Sequence, residues 1–222
     1  IMEVIIIDGS YFVFHRYFAL LSWWKYLNLN NKPEDSTNDL DDLSNNSIFI
    51  DKFIKTFKSK INELEKKLNI NKDSRVLKIV AFDCPRKDIW RNSLFDKYKS
   101  TRNNNDNNIK NIFKLTYNND LFINSGIDIK LYHPHLEADD CIAITTKYIH
   151  DKYPESNISI ITSDMDYLQL ANKKTHLIDL KFKDLTQKKK STNDPNKDLF
   201  YKILIGDKSD NIPPIFPKCG VK

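Results

Sequence analysis

Glycine is scarce, with four residues in a chain of 222. A Gly-rich loop that cradles phosphates needs several glycines within a few positions, so nucleotide sites of that kind are excluded. Cysteine is also rare. Cys84, Cys141 and Cys219 are an odd number and form no CxxC. They are expected to be reduced thiols of an intracellular protein, neither a disulfide frame nor a zinc site. Long apolar runs are absent as well. None approaches the ~20 residues of a membrane span, and the N-terminus has no signal-peptide pattern. Ile1-Met2 suggests that the first residue is not the natural start.

What remains is a chain with 40% hydrophobic residues, enough for a sizeable core, and a formal net charge of +5. A mildly basic balance suits a polyanionic partner. Short β-branched runs alternate with amphipathic stretches. Glu3–Ile7, Arg75–Phe82, Ile127–Tyr132, Asn157–Thr162 and Thr175–Leu180 read as strands. Tyr11–Leu27, Ile48–Leu68, Ile112–Ser125 (with Gly126 as the stop), Glu137–Tyr153 and Leu199–Ile205 read as helices. Residues 28–47 form a polar insertion, and Asn103–Asn111 is polar and low in complexity. Strands that are continuous apolar runs imply a mostly parallel sheet covered by helices on both faces. In such sheets the site lies beyond the carboxyl ends of the strands.

Acids collect at those ends. Asp8, Asp83 and Asp164 each follow a predicted strand. Glu137, Asp139 and Asp140 open a predicted helix, and Asp166, Asp207 and Asp210 complete a set of nine. Each has a plain alternative. First-turn acids complement the helix dipole. Asp164 with Asp166 reads as a turn and an N-cap, Asp207 with Asp210 as an Asx-turn and a cap, and Asp8 before Gly9 as a turn. Together, nine acids near one sheet edge call for cations. Oxygen-only ligands select Mg²⁺ or Mn²⁺. From Arg86 to Arg102 six basic residues (Arg86, Lys87, Arg91, Lys97, Lys99, Arg102) stand against Asp88 and Asp96, with Trp90, Phe95 and Tyr98 interleaved. Such a segment is either a solvated helix face or a surface for phosphates and unpaired bases. Lys181–Lys190 is a basic loop of the sort that is usually only solvated.

Several stretches in one order resemble the 5′-nuclease family (flap endonucleases and 5′→3′ exonucleases) in its phage and bacterial polymerase-associated branch. They are Val4-Ile5-Ile6-Ile7-Asp8-Gly9-Ser10, Ala81-Phe82-Asp83, Trp90-Arg91 with Tyr98-Lys99-Ser100-Thr101-Arg102, Glu137-Ala138-Asp139-Asp140, Ile161-Thr162-Ser163-Asp164-Met165-Asp166 and Gly206-Asp207-Lys208-Ser209-Asp210-Asn211-Ile212-Pro213. The resemblance implies an α/β, PIN-like core over 1–180, with an arch or gateway at 86–125. Residues 181–222 would carry a basic loop and the start of a helix-three-turn-helix element that binds duplex DNA around a monovalent ion such as K⁺.

The implied activity is a two-metal, Mg²⁺- or Mn²⁺-dependent hydrolysis of DNA with a free 5′ end, by exonuclease or flap-endonuclease action, in replication or repair. The alternatives are a metal-free DNA-binding relative and a PIN-type ribonuclease. All nine acids would belong to the metal site: Asp8, Asp83, Glu137, Asp139 and Asp140 to the first ion, Asp164, Asp166, Asp207 and Asp210 to the second. Lys99 and Arg102 would approach the scissile phosphate. Arg91, Tyr98, Lys208, Ser209, Gly220 and Lys222 would join them in binding DNA, Tyr98 by stacking on a base. Residues 103–111 are expected to order only on DNA. A monomer working with a DNA polymerase or other replication proteins is implied. Lys218 stands where the family has the first glycine of a hairpin, at a cost if that position needs φ > 0. The chain ends at Lys222, so a truncated second helix is expected.

Overall fold

A computed structural model describes residues 2–30, 43–102, 106–189 and 191–216. In chain order the regular elements are β1 (Met2–Asp8), α1 (Gly9–Asn30), α2 (Ser47–Asn62), α3 (Leu64–Lys67), β2 (Arg75–Ala81), α4 (Asn107–Asn118), β3 (Ile129–Leu131), α5 (Ala138–Lys152), β4 (Asn157–Ile161), β5 (Thr175–Ile178) and α6 (Pro195–Ile205). Short 3₁₀ turns fill several connections, among them Arg86–Asp88, Trp90–Ser93, Met165–Leu170 and Lys208–Asp210.

The five strands form one sheet in the order β3-β2-β1-β4-β5, and every pairing is parallel. Alternate side chains of a strand point to opposite faces. Ile5 and Ile7 of β1 therefore join Val80 and Ile161 in a core with α1, α2 and α4. Val4 and Ile6 join Ile79, Ile158 and Ile160 in a second core under α5. The first core is aromatic. The rings of Phe12, Phe57 and Phe122 meet in pairs at 4.8, 4.9 and 5.6 Å. Burying each such ring contributes about 1.5–3 kcal/mol, which fixes α1 and α2 against the sheet.

From β1 the chain winds outward through β2 and β3, then returns to the other side of β1 for β4 and β5. Crossovers leave β1 and β4 in opposite directions, and a crevice opens at their carboxyl ends. Gly9 lets α1 start hard against β2, since a Cβ there would lie 2.7 Å from the Ala81 carbonyl oxygen. That close start brings Asp8 beside Asp83.

Several boundaries differ from the expected ones. The amphipathic run Ile48–Leu68 is broken at Glu63, which ends α2 and begins α3. The helix expected from Ile112 begins earlier, because the Asp106 carboxylate caps it by accepting from Asn108 N and Ile109 N. It also ends at Asn118. Residues 107–111, expected to order only on DNA, are thus the first turns of α4, with Ile109 buried. Residues 103–105 lie outside the described residues. Gly126 does take a left-handed φ of 94°, but it closes the 3₁₀ turn Ile123–Ser125. The third strand shrinks to Ile129–Leu131. Of the insertion 28–47, Asn28–Asn30 extend α1, Leu43–Asn45 form a 3₁₀ turn, and 31–42 lie outside the described residues. No described helix is long and apolar enough to cross a membrane.

Candidate active site

Asp8 ends β1 and also caps α1, since its Oδ1 accepts from Tyr11 N at 3.0 Å. Its Oδ2 lies 3.4 Å from the Tyr167 hydroxyl and 3.5 Å from that of Thr162. Burial pushes its carboxyl up to about 7, and nearby Asp83, Asp164 and Asp139 add to the shift against the Tyr11 N–H. Asp83 follows β2 and ties it to α5. Its Oδ1 accepts from Ala138 N at 2.8 Å and its Oδ2 from the Ser10 hydroxyl at 2.6 Å. A carboxylate on the first N–H groups of a helix is favoured by the dipole. Asp139 sits one residue inside α5. Burial, reinforced by Glu137 and Asp140, pushes its carboxyl up to about 6. Asp164 follows β4, and its Oδ1 accepts from Asp166 N at 2.9 Å, capping the 3₁₀ turn Met165–Leu170. The four carboxylates line one cavity of about 270 Å³, together with Ser10, Tyr11, Lys99, Arg102, Glu137 and Tyr167.

The other five acids are paired with basic side chains. Glu137 is buried and accepts from three donors: Lys99 Nζ at 2.5 Å, Tyr98 hydroxyl at 2.8 Å and Arg91 at 3.0 Å. Arg91 also forks onto Asp140, with both N–O distances 2.7 Å. Trp90 Nε1 adds a bond to Asp140 at 3.1 Å, and Glu137 N another at 3.1 Å. Asp210 pairs with Arg102 and lies 3.9 Å from Lys99 Nζ. Asp166 and Asp207 share Lys202, at 2.6 Å for Asp166. Burial pushes Asp207 up, but Lys202 and the Ser209 hydroxyl overcome it and hold the carboxyl at about 2.

Among the described residues, Asp8, Asp83, Asp139 and Asp164 have no ion-pair partner within 4.0 Å. Like charges gathered without a counter-charge either take up protons or bind cations. The Asp8 and Asp139 carboxyls are raised first by burial and further by the neighbouring acids. Oxygen donors of this kind fit hard divalent cations, so the residues present suit the metal that the sequence implied. Glu137, Asp139 and Asp140 also bring ligand oxygens within 4.8 Å of one another. For Asp140 to ligate an ion, Arg91 has to move.

The basic segment therefore lies across the acids. It is not a free, solvated helix face. Its hold on the 206–213 loop is specific: Lys99 N donates to Asp210 O at 3.1 Å, Thr101 to Asn211 at 2.8 Å, and Asn211 to Lys97 O at 2.9 Å. Lys99 itself has a left-handed φ of 52°, a conformation costly for a non-glycine residue. Tyr98 departs from expectation. It is 6% exposed, spends its hydroxyl on Glu137 and is approached by Arg91 and Lys99, so it offers no open face for a base in this arrangement. Lys208 and Ser209 are exposed on the loop, whereas Gly220 and Lys222 lie outside the described residues. Sequence reasoning missed Ser10, Tyr167 and Lys202. The first two adjoin motif acids. Lys202 lies five residues before Asp207, in the last turn of α6.

Comparison with known proteins fits this geometry. The 5′-3′ exonuclease N-terminal resolvase-like domain matches residues 3–197. The chain belongs to the 5′-3′ exonuclease family. Among its family relatives are the 5′-3′ exonucleases of Buchnera aphidicola subsp. Schizaphis graminum (strain Sg) and subsp. Acyrthosiphon pisum (strain APS). They are 27% and 29% identical to it over 99% of this chain and 67% of theirs. Solved structures of the bacteriophage T5 enzyme share its fold. The T5 5′-exonuclease with bound zinc aligns at a TM-score of 0.63 and 20% identity, over 96% of this chain and 70% of that one. The T5 flap endonuclease in complex with DNA and metal ions aligns at 0.62 and 16%, over 98% and 71%. The architecture is thus the resolvase-like, PIN-type α/β fold of the 5′-3′ exonuclease family.

Proposed function

We propose that the chain hydrolyses DNA with a free 5′ end by a two-metal, Mg²⁺- or Mn²⁺-dependent mechanism, as a 5′→3′ exonuclease, a 5′-flap endonuclease or both. One observation carries this reading: four carboxylates without ion-pair partners among the described residues meet in a cavity at the switch point of a parallel sheet, with Lys99 and Arg102 on its wall.

When bound, divalent cations supply activation of water and neutralisation of charge on the scissile phosphate. Asp8, Asp83 and Asp139 would hold the first ion, joined by Asp164 from the set expected at the second, with Glu137 and Asp140 on hand. Asp166, Asp207 and Asp210 are the remaining candidates for the second. Lys99 and Arg102 exchange their carboxylates for phosphate oxygens and stabilise charge as it develops. A larger cavity of about 520 Å³ adjoins the acids at Ser10, Asp83 and Glu137 and runs out along Phe14 and Phe113, edged by Arg86, Lys110 and Lys114. Cations spaced along an aromatic wall suit a single strand, with phosphates on the lysines and bases on the rings. The face of α4, within the gateway 86–125, forms one side of that path.

Exposed Lys208 and Ser209 sit where the 206–213 loop would meet duplex DNA, with K⁺ as the ion of that element. Arg91 reaches DNA only after leaving Asp140. The enzyme would work as an intracellular monomer beside a DNA polymerase or other replication proteins. The free thiols Cys84 and Cys141 suit such a compartment. The test is cleavage of a labelled 5′-flap DNA with Mg²⁺, with EDTA, and with an RNA flap in place of DNA. Mg²⁺-dependent cutting of DNA, leaving a 5′ phosphate, is expected. Tight DNA binding without cleavage would identify a metal-free relative, and preference for the RNA flap a PIN-type ribonuclease.

A further inference from the structure

The nuclease reading leaves Lys202 without a role, yet it holds a distinctive place. Its ammonium bridges two carboxylates from separate elements, Asp166 in the 3₁₀ turn after β4 and Asp207 at the head of the 206–213 loop. Asp207 has little to spare. Its Oδ1 already accepts from Ser209 N and the Ser209 hydroxyl, both at 2.7 Å, and from Asp210 N at 3.3 Å. Only Oδ2 is left, and that oxygen is bonded to Lys202. An ammonium and a divalent ion on that one oxygen compete for its lone pairs and repel each other, so each weakens the binding of the other. The backbone caps that consume Oδ1 also prevent Asp207 from turning to serve both.

We propose that Lys202 is an internal cation that stands in the second divalent position of the DNA-free protein and limits it to one tightly bound metal ion. The inference rests on the two-metal reading above and assigns Lys202 within it. The first position, around Asp8, Asp83, Asp139 and Asp164, has no such occupant among the described residues and is open to an ion at once. The second fills only when Lys202 withdraws. Its side chain is 38% exposed, so it has solvent to move into. Metal stoichiometry then becomes a property set by one lysine in the last turn of α6.

The experiment is a titration of the DNA-free protein with Mn²⁺, with free ion followed by electron paramagnetic resonance and heat by calorimetry. Wild type is expected to bind one equivalent tightly and a second far more weakly. Lys202→Met removes the charge and keeps most of the stem. Its second equivalent should bind at least tenfold more tightly, with the first unchanged. Lys202→Arg keeps the charge and should retain the wild-type pattern, which separates loss of charge from loss of shape. Far-ultraviolet circular dichroism checks that each variant is folded. If the second equivalent binds no more tightly in the folded Met variant while the first site is intact, Lys202 has no such role and the two-metal reading stands. If neither wild type nor the Met variant binds Mn²⁺, the metal reading itself fails and takes this proposal with it.

Discussion

Replacing Asp8 with Asn should stabilise the metal-free protein at alkaline pH, although it removes an active-site acid. Burial, with three acids nearby, lifts the Asp8 carboxyl from 3.8 to about 7. A group whose folded pKa is raised keeps a proton that the unfolded chain has lost. Stability therefore falls as pH rises from about 4 to about 7 and stays low above that. Three units at about 1.4 kcal/mol each give a penalty on the order of 4 kcal/mol at about pH 8. Asn carries no charge and escapes it. Asn Oδ1 can still accept from Tyr11 N, and the Tyr167 and Thr162 hydroxyls, at 3.4 and 3.5 Å, lose little by turning away. The variant should therefore be more stable than wild type by about 2–4 kcal/mol at about pH 8 in EDTA, and by under about 1 kcal/mol at about pH 4. Urea unfolding followed by tryptophan fluorescence measures both. Saturating Mg²⁺ should narrow or reverse the difference, because wild type, with all four carboxylates, gains more binding free energy from the ion. A variant less stable than wild type at both pH values would show that the Asp8 carboxyl carries no such penalty.

Lys99→Ala should lower the rate of flap cleavage by about 10²–10³ with a smaller change in DNA affinity, as expected for a donor that acts on developing charge. An equal loss in both would make Lys99 a binding residue only. Arg91→Met strips Glu137 and Asp140 of their guanidinium. With the Arg91 side chain 28% exposed, the loss in metal-free stability should be about 1–3 kcal/mol, less than the cost of breaking a fully buried pair. Mg²⁺ should recover part of it in thermal melts. Gly206→Ala places a Cβ 2.4 Å from the Ile212 carbonyl oxygen at a φ of 69°. A cost of about 1–3 kcal/mol and weaker duplex binding are expected. Unchanged affinity would detach the 206–213 loop from DNA.

The sheet was legible because parallel strands buried on both faces read as unbroken β-branched runs. Ile5, Ile6 and Ile7 fixed β1, and its end placed Asp8. The same logic placed Asp83 and Asp164. Interactions across sequence left no local trace. Arg91 and Asp140 are 49 residues apart, and nothing in the basic segment said that it would fold onto acids of this same chain. Tyr98 looked like a stacking residue, because a composition of aromatics and lysines does not reveal which ring is buried. The Asn-rich stretch before Ile112 hid a helix start, since its one useful signal, Asp106 as a cap, stood among residues of low helix propensity. Lys202 lay in an unremarked helical turn. Only the fold shows that it faces Asp166 and Asp207 together.

Everything above turns on Asp8, Asp83, Asp139 and Asp164 binding a divalent cation. A crystal soaked in Mn²⁺ tests it most directly through anomalous scattering at the manganese edge. A peak is expected in the cavity at the ends of β1, β2 and β4, about 2.0–2.3 Å from oxygens of those carboxylates. Manganese bound only elsewhere on the surface, with this cavity empty at saturating metal, would contradict it.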